Sequence, residues 1–317
     1  MAIFLRSCAS HRCWHIVCVL MKKVEMKKFL ISIALSALFV GGAFYVSRAA
    51  PVRRTTTAEA DPLAVCTELP RSAAGTVNAL SAGPIVSIDF DDGFLSAYKY
   101  GIPLFNAAGF PVTAYIITGD LQQHPGNVDL AEIRALAAAG NEIGAHTITH
   151  PNLTRVSEAR AIDEICGSRE ALLRFGIRTT TFAYPDGYSD PAVESIVKDA
   201  GFTGARNTDA GLDDSRTDPY ELRSYQVTAI TTLPEIESAI AQAIRSKEWL
   251  ILTFHRVDDT GNPISVPHTL IQGLISYLKK TGVPVVTNAE GLAMKSRIAG
   301  ARSYLLPPSV PVRSSTM

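Results

Sequence analysis

Hydrophobic and polar positions alternate regularly only from Pro84 onward. Ile85-Val86-Ser87-Ile88 is a β-branched, mostly apolar run and predicts a buried strand over 85–90. The stretch 94–108 is helix-like and stops at Gly109. Val112 to Ile117 predicts a second strand, Leu130 to Ala139 an amphipathic helix closed by Gly140, and Glu142 to Ala145 a short strand. A long helix follows over 158–175, capped by Ser157 and stopped by Gly176. The pattern then gives strand 179–184, helix 191–200, strand 202–205 and strand 225–229. Helix 233–247, strand 249–254, helix 269–280 and a last strand 283–286 complete it. Strands and helices in alternation with short connections imply a parallel sheet with helical crossovers. Seven or eight such units closing on themselves make a barrel; an open doubly wound sheet is the alternative.

The flanks read differently. Met26-Lys27-Lys28, the apolar run 29–46 and Ser47-Arg48-Ala49 have the layout of an export signal cleaved near Ala49–Ala50. The run is also long enough for a short membrane anchor. Residues 1–25 are unusual in front of a signal, and Met21 and Met26 are alternative starts. The expected division is an N-terminal extension and signal over 1–49, a small polar linker over 50–83, one catalytic domain over 84–296 and a proline-bearing tail over 297–317. A signal implies a secreted, periplasmic or envelope location, with membrane or cell-wall association where the run is retained. Export leaves Cys66 and Cys166, which an oxidising compartment would allow to pair.

Charge narrows the partners. The chain is neutral overall, with 30 basic and 30 acidic residues. Seven of the basic residues but only Glu25 among the acids lie in 1–49, so the remainder carries a net of −6. A mildly acidic body without a Lys/Arg cluster argues against nucleic acid as a partner.

The residues that carry chemistry fall at predicted strand ends, where parallel α/β folds collect their sites. The first strand ends in Asp89-Phe90-Asp91-Asp92-Gly93, three carboxylates within four residues. Burying such a set costs several kcal/mol or more unless a cation accompanies it. Its plain reading is a solvated strand end turning at Asp-Gly. His146 and His150 follow the 142–145 strand and stand four apart, a spacing that lets two imidazoles share one ion, although a bare H-x-x-x-H is most often a solvated face. Tyr184-Pro185-Asp186-Gly187 follows the 179–184 strand, and His255 follows Leu252-Thr253-Phe254. Two His with one Asp leave positions open for water and substrate, the layout of a catalytic zinc site. Neither a G-x-S-x-G nucleophile nor a G-x-x-x-x-G-K-[ST] phosphate loop occurs.

F-D-D-G at 90–93, H-T-I-T-H-P at 146–151, F-A-Y-P-D-G at 182–187 and L-T-F-H at 252–255 resemble the successive motifs of NodB-like polysaccharide deacetylases, carbohydrate esterase family 4. The resemblance spans roughly 84–292. It implies a distorted (β/α) barrel of the NodB-homology type and a divalent metal, usually Zn2+. The implied substrate is an acetylated polysaccharide: N-acetyl groups on chitin, peptidoglycan or poly-N-acetylglucosamine, or O-acetyl groups on xylan. By the same resemblance Asp91 is the general base, His255 the general acid, and Asp92, His146 and His150 the metal ligands. Thr147 supports the histidine loop, Leu252 lines the acetyl pocket, and Tyr184, Pro185 and Asp186 border the substrate, with a backbone N–H near Asp186 at the oxyanion.

The chain departs from the family at Ala183, where many members have an arginine orienting the base, and at Asp186, where many have Tyr. Arg206 is the candidate partner for Asp91. Asp209, Asp213 and Asp214 are candidates for supporting His255. Three functional readings follow: an N-deacetylase on an amino-sugar polymer, an O-acetyl esterase on a xylan-like glycan, and a non-catalytic carbohydrate-binding relative. Retention of a base, an acid and three ligands together argues against the last, since binding alone needs neither base nor acid.

Overall fold

The computed structural model describes residues 83–121 and 125–294. The expected signal, nearly all of the linker, Cys66 and the tail lie outside the described residues. No described helix is long and apolar enough to cross a membrane.

Seven parallel strands form a curled, half-barrel sheet: β1 (Ile85–Phe90), β2 (Thr113–Ile116), β3 (Glu142–Ala145), β4 (Thr181–Ala183), β5 (Gly204–Arg206), β6 (Tyr225–Gln226) and β7 (Trp249–Phe254). Their spatial order is β5-β4-β3-β2-β1-β7-β6. The main helices are α1 (Ile102–Ala107), α2 (Leu130–Ala138), α3 (Glu158–Arg174), α4 (Pro191–Asp199), α5 (Leu233–Ser246) and α6 (His268–Thr281). A two-stranded parallel ribbon, β8 (Arg256–Val257) with β9 (Ser265–Val266), follows β7 and was not evident from the pattern.

β1 lies near the middle, paired along its whole length with β7 and at Asp89 and Phe90 with β2. Because strand side chains alternate, Val86, Ile88 and Phe90 share one face. They join Phe105, Phe254, Ile240 and Leu274 in the main core. Phe90 stacks on Phe254 at 5.5 Å and meets Phe105 edge-on at 6.1 Å. Such pairs add about 0.5–1.5 kcal/mol each beyond the area they bury. The alternate positions Ser87, Asp89 and Asp91 are buried too, together with Thr113, Tyr115 and Thr253. The sheet therefore encloses a polar interior that an apolar pattern does not reveal.

Helix ends follow their caps. Asp129 and Glu132 close a reciprocal capping box on α2, each bond 2.8 Å. Ser157 caps α3, as expected from the sequence.

Three elements differ from expectation. The 94–108 helix contains a π turn over Ala97–Gly101, and Val257 of β8 packs where a Gly101 Cβ would stand, 2.6 Å away. The 283–286 strand is a single parallel bridge between Val86 and Val285. The 202–205 strand is displaced to 204–206, which brings Arg206 into the sheet.

Candidate active site

The C-terminal ends of β1, β3 and β7 meet at one rim. Asp92 and Gly93 turn the chain out of β1 with both residues left-handed, at φ 65° and 67°. Asp-Gly is a sequence suited to such a turn. β3 delivers His146, and the following turn places Thr147 and His150 left-handed as well, at φ 65° and 56°. Asp186 joins them at φ 54°. Four of the five described non-glycine residues with positive φ thus lie around this rim. Each costs about 1–3 kcal/mol unless its surroundings hold it.

The restraints are visible. Thr147 Oγ1 accepts from the His150 N–H at 2.9 Å. Glu164 of α3, fully buried, accepts from the N–H groups of Ile148 and Thr149 at 2.8 Å each and from Thr149 Oγ1 at 2.5 Å. Arg160, one turn back, completes its set.

Asp92, His146 and His150 converge. His146 Nε2 and His150 Nε2 lie 3.4 and 3.6 Å from Asp92 Oδ1, and the three donor atoms lie within 4.8 Å of one another. Ligands about 2.0–2.1 Å from a tetrahedral ion are separated by roughly 3.3 Å, so the spacing fits a small divalent cation. Asp92 Oδ1 is buried with no hydrogen-bond partner, which fits the same role. His146 Nδ1 stands 2.8 Å from the Ala183 carbonyl. A carbonyl only accepts, so Nδ1 carries the hydrogen and Nε2 turns its lone pair toward Asp92. Burial alone would raise the Asp92 pKa, but His146, His255 and His150 bring it down to about 2. Burial would lower the His146 pKa, and its contacts with Asp92 and Asp91 raise it instead. His150 is lowered by burial and by the neighbouring His146.

Asp91 is buried beside this group, and Arg206 Nη2 donates to its Oδ1. Arg206 Nε donates to Asp89 Oδ2 at 2.8 Å. The arginine absent at 183 thus has its counterpart on β5. His255 is half-buried at the end of β7, close enough to Asp92 to lower its pKa, and its Nδ1 has no hydrogen-bond partner.

The aspartates expected to support His255 do not reach it. Asp213 accepts from the Arg223 N–H and its backbone pairs with Trp249, at the far end of β7 and about 20 Å from His255 at 3.3 Å per residue. Asp214 is held by Arg216, and the Asp209 N–H donates to Asn207.

Two expected pocket residues are also corrected. Leu252 is fully buried in the main core with Ile88 and Phe254, on the face opposite Thr253 and His255, so it lines no acetyl pocket. Tyr184 is buried, with its hydroxyl donating to the Tyr220 carbonyl at 3.0 Å, so its ring borders no substrate. Pro185 is buried below the rim, while Asp186 is exposed and influences His150. Sequence reading missed Glu164, Asp89 and Asn288, which bonds Asp89 at 2.7 Å. It also left open whether Cys166 pairs; Cys166 is disulfide-bonded.

Residues 81–205 match the family model described as polysaccharide deacetylase. A peptidoglycan-N-acetylglucosamine deacetylase of Bacillus cereus is 25% identical over 213 residues, 67% of this chain and 89% of its own length. A gellan lyase of a Bacillus species is 26% identical over 192 residues, 55% of this chain but only 8% of the lyase. Among solved structures, a Mycobacterium smegmatis protein assigned to the polysaccharide deacetylases matches with TM-score 0.52 at 15% identity, covering 78% of this chain and all of the other. A Streptococcus pyogenes deacetylase in complex with acetate matches with TM-score 0.46 at 21% identity, covering 50% of this chain and 69% of that one. Residues 81–205, which carry the first three motifs, thus match the polysaccharide deacetylase family, on a half-barrel of the fold seen in the mycobacterial protein.

Proposed function

We propose that this chain is a metal-dependent hydrolase that removes N-acetyl groups from an amino-sugar polymer of the chitin, peptidoglycan or poly-N-acetylglucosamine type. The observation that carries the reading is the convergence of Asp92, His146 and His150 beside an arginine-held Asp91. Asp92 Oδ1, His146 Nε2 and His150 Nε2 would hold the ion, most simply Zn2+, which three such ligands suit. When bound, the ion supplies Lewis acidity toward an acetyl carbonyl and toward water.

The chain's own groups divide the remaining work. Asp91 takes a proton from the attacking water as its oxygen bonds to the acetyl carbon. Arg206 fixes the direction of the Asp91 carboxylate, so the base does not turn toward the histidines. His255, with Nδ1 uncommitted, gives a proton to the sugar nitrogen as the C–N bond breaks, leaving acetate and a free amine. Exposed Asp186 sits at the border where a polymer would lie. The Bacillus cereus relative, named as a peptidoglycan-N-acetylglucosamine deacetylase, supports the amino-sugar choice. The export signal over 26–49 adds that the enzyme works outside the cytoplasm, in the envelope or beyond.

The test is acetate release by the purified chain from chitin oligomers, peptidoglycan, poly-N-acetylglucosamine and acetylated xylan, before and after chelation and zinc return. Release from an amino-sugar polymer, lost on chelation and restored by zinc, is expected. Release from xylan alone would move the activity to O-acetyl esters. No release from any glycan would overturn the reading.

A further inference from the structure

Beneath the rim lies a second buried acid, and the reaction described above gives it no part. Asp89 is fully buried, two residues before Asp91 on β1 and on the same face. Its Oδ2 accepts from two donors, Arg206 Nε at 2.8 Å and Asn288 Nδ2 at 2.7 Å. Asn288 is itself fixed. Its amide also donates to the Tyr115 hydroxyl at 2.9 Å, and its backbone N–H donates to Thr113 Oγ1 at 3.0 Å. The next residue, Ala289, is anchored by its N–H on Glu142 at 2.8 Å. The Tyr115 ring covers the guanidinium, with Arg206 Cζ 4.8 Å from its centroid. Gly144 leaves that ring its room, since a Cβ there would come within 2.3 Å of it. Arg206 is therefore gripped at Nε and over its face before Nη2 reaches Asp91.

We propose that Asp89 and Asn288 are positioning residues for the base: they lock the Arg206 guanidinium so that Nη2 faces Asp91, and they touch neither substrate nor metal. This rests on the assignment of Asp91 as base. Two observations make a purely structural reading insufficient. An arginine needs one carboxylate to neutralise it, and Asp91 already supplies that. A second buried acid beside the first is electrostatically adverse unless its geometry is used. Burial pushes the Asp89 carboxyl up to about 7, against the pull of Arg206, so the site needs an oxygen acceptor more than a charge.

The test compares Asp89→Ala, Asp89→Asn and Asn288→Ala, each alone and with Arg206→Lys, all zinc-loaded and matched for metal content. Asp89→Ala and Asn288→Ala should lower kcat about 10- to 100-fold, the scale of misplacing a reacting group by roughly 1 Å. KM should stay within about twofold. Asp89→Asn, which keeps an acceptor oxygen, should recover most of the loss. In the Arg206→Lys background Asp89→Ala should cost less than about threefold more, because residues acting through one group are not additive. A readout independent of turnover is the Nε–H signal of Arg206 in 15N-arginine protein. It should be slow to exchange in the parent and exposed in Asp89→Ala and Asn288→Ala. Unchanged kcat with an unchanged Arg206 signal overturns the proposal, as does full additivity with Arg206→Lys. An Arg206 signal protected in the parent and exposed in the variants, in a parent that releases no acetate, would support the lock and refute the deacetylase reading, so the two failures are distinct. Should Asp89→Ala not fold, Asn288→Ala carries the same decision.

Discussion

Replacing Glu164 by alanine should loosen the turn that carries His146 and His150 without touching either histidine. Glu164 lies on α3, 14 and 18 residues from the two histidines it steadies. It is fully buried and accepts from two consecutive backbone N–H groups and a hydroxyl of that turn. A hydrogen bond to a charged acceptor contributes about 1.5–3 kcal/mol, and a stranded donor costs about 1–3 kcal/mol. Thr149 is exposed, so water can satisfy part of what is lost. A loss of roughly 2–4 kcal/mol for the turn as a whole follows. Thr147 and His150 hold left-handed backbone there and would relax toward ordinary conformations once released. Orienting groups of this kind change metal affinity by about 10–100-fold when removed. The assay is zinc affinity by competition with a chromophoric chelator, beside a thermal melt of the chelated protein. Glu164→Ala should bind zinc about 10–100-fold more weakly. Glu164→Gln should fall between, because its single carbonyl oxygen can still accept. An affinity within twofold of the parent in Glu164→Ala, in a folded protein, would refute the argument that this carboxylate holds the turn.

Asp91→Asn should keep its metal and lose about 10²–10⁴-fold in turnover, since an amide cannot take a proton from water; metal per chain and acetate release decide it. Asp92→Asn should lose metal as well, and the reverse pattern would exchange the two roles. His255→Ala should also retain metal and lose acetate release, most steeply where the leaving amine is poorest. Asp89 predicts a pH dependence of stability. Its folded pKa of about 7 lies above the ordinary 3.8, so its contribution is full below about pH 3.8 and is lost as pH rises through 7. Melting curves over that range should show this component in the parent and not in Asp89→Asn. N-terminal sequencing of the exported protein should begin near Ala50, and retention of 29–46 in a membrane fraction would point to an anchor instead.

The regular elements were legible because their signals are local. Glycines at 109, 140, 176, 201 and 282 stop helices where expected, and Ser157 caps where it should. The irregular ones depend on packing partners far along the chain. No local pattern could show that Val257 would pack against Gly101. The convergence of Asp92, His146 and His150 was legible because two strand ends carry unusual residues in fixed spacing. Arg206 was harder, since it stands 115 residues from Asp91 and enters the sheet only through the exact extent of β5. Two errors were avoidable from periodicity alone. Counting back from His255 by twos reaches Thr253, not Leu252, so Leu252 belonged to the opposite face. The same count from Asp91 reaches Asp89, which marked the third carboxylate of that string as an interior group.

These interior acids explain how a strained rim can persist. Glu164 holds the histidine turn, Asp89 holds Arg206, and Glu142 holds the segment bearing Asn288 through Thr113, Thr181 and Ala289. None of the three faces the convergence of donors. Each is a carboxylate committed to several donors drawn from different elements, so each ties distant parts of the chain to one point. A hydrophobic interior of equal volume would be easier to bury, but it fixes side chains by contact alone and permits small shifts. Carboxyl acceptors with two or more donors fix direction as well as position. Left-handed backbone at Asp92, Thr147, His150 and Asp186 needs that kind of restraint, because every relaxation of it moves a ligand or its neighbour. The polar core of the half-barrel is therefore part of the site's construction, and variants within it should alter metal affinity and kcat before they alter the fold.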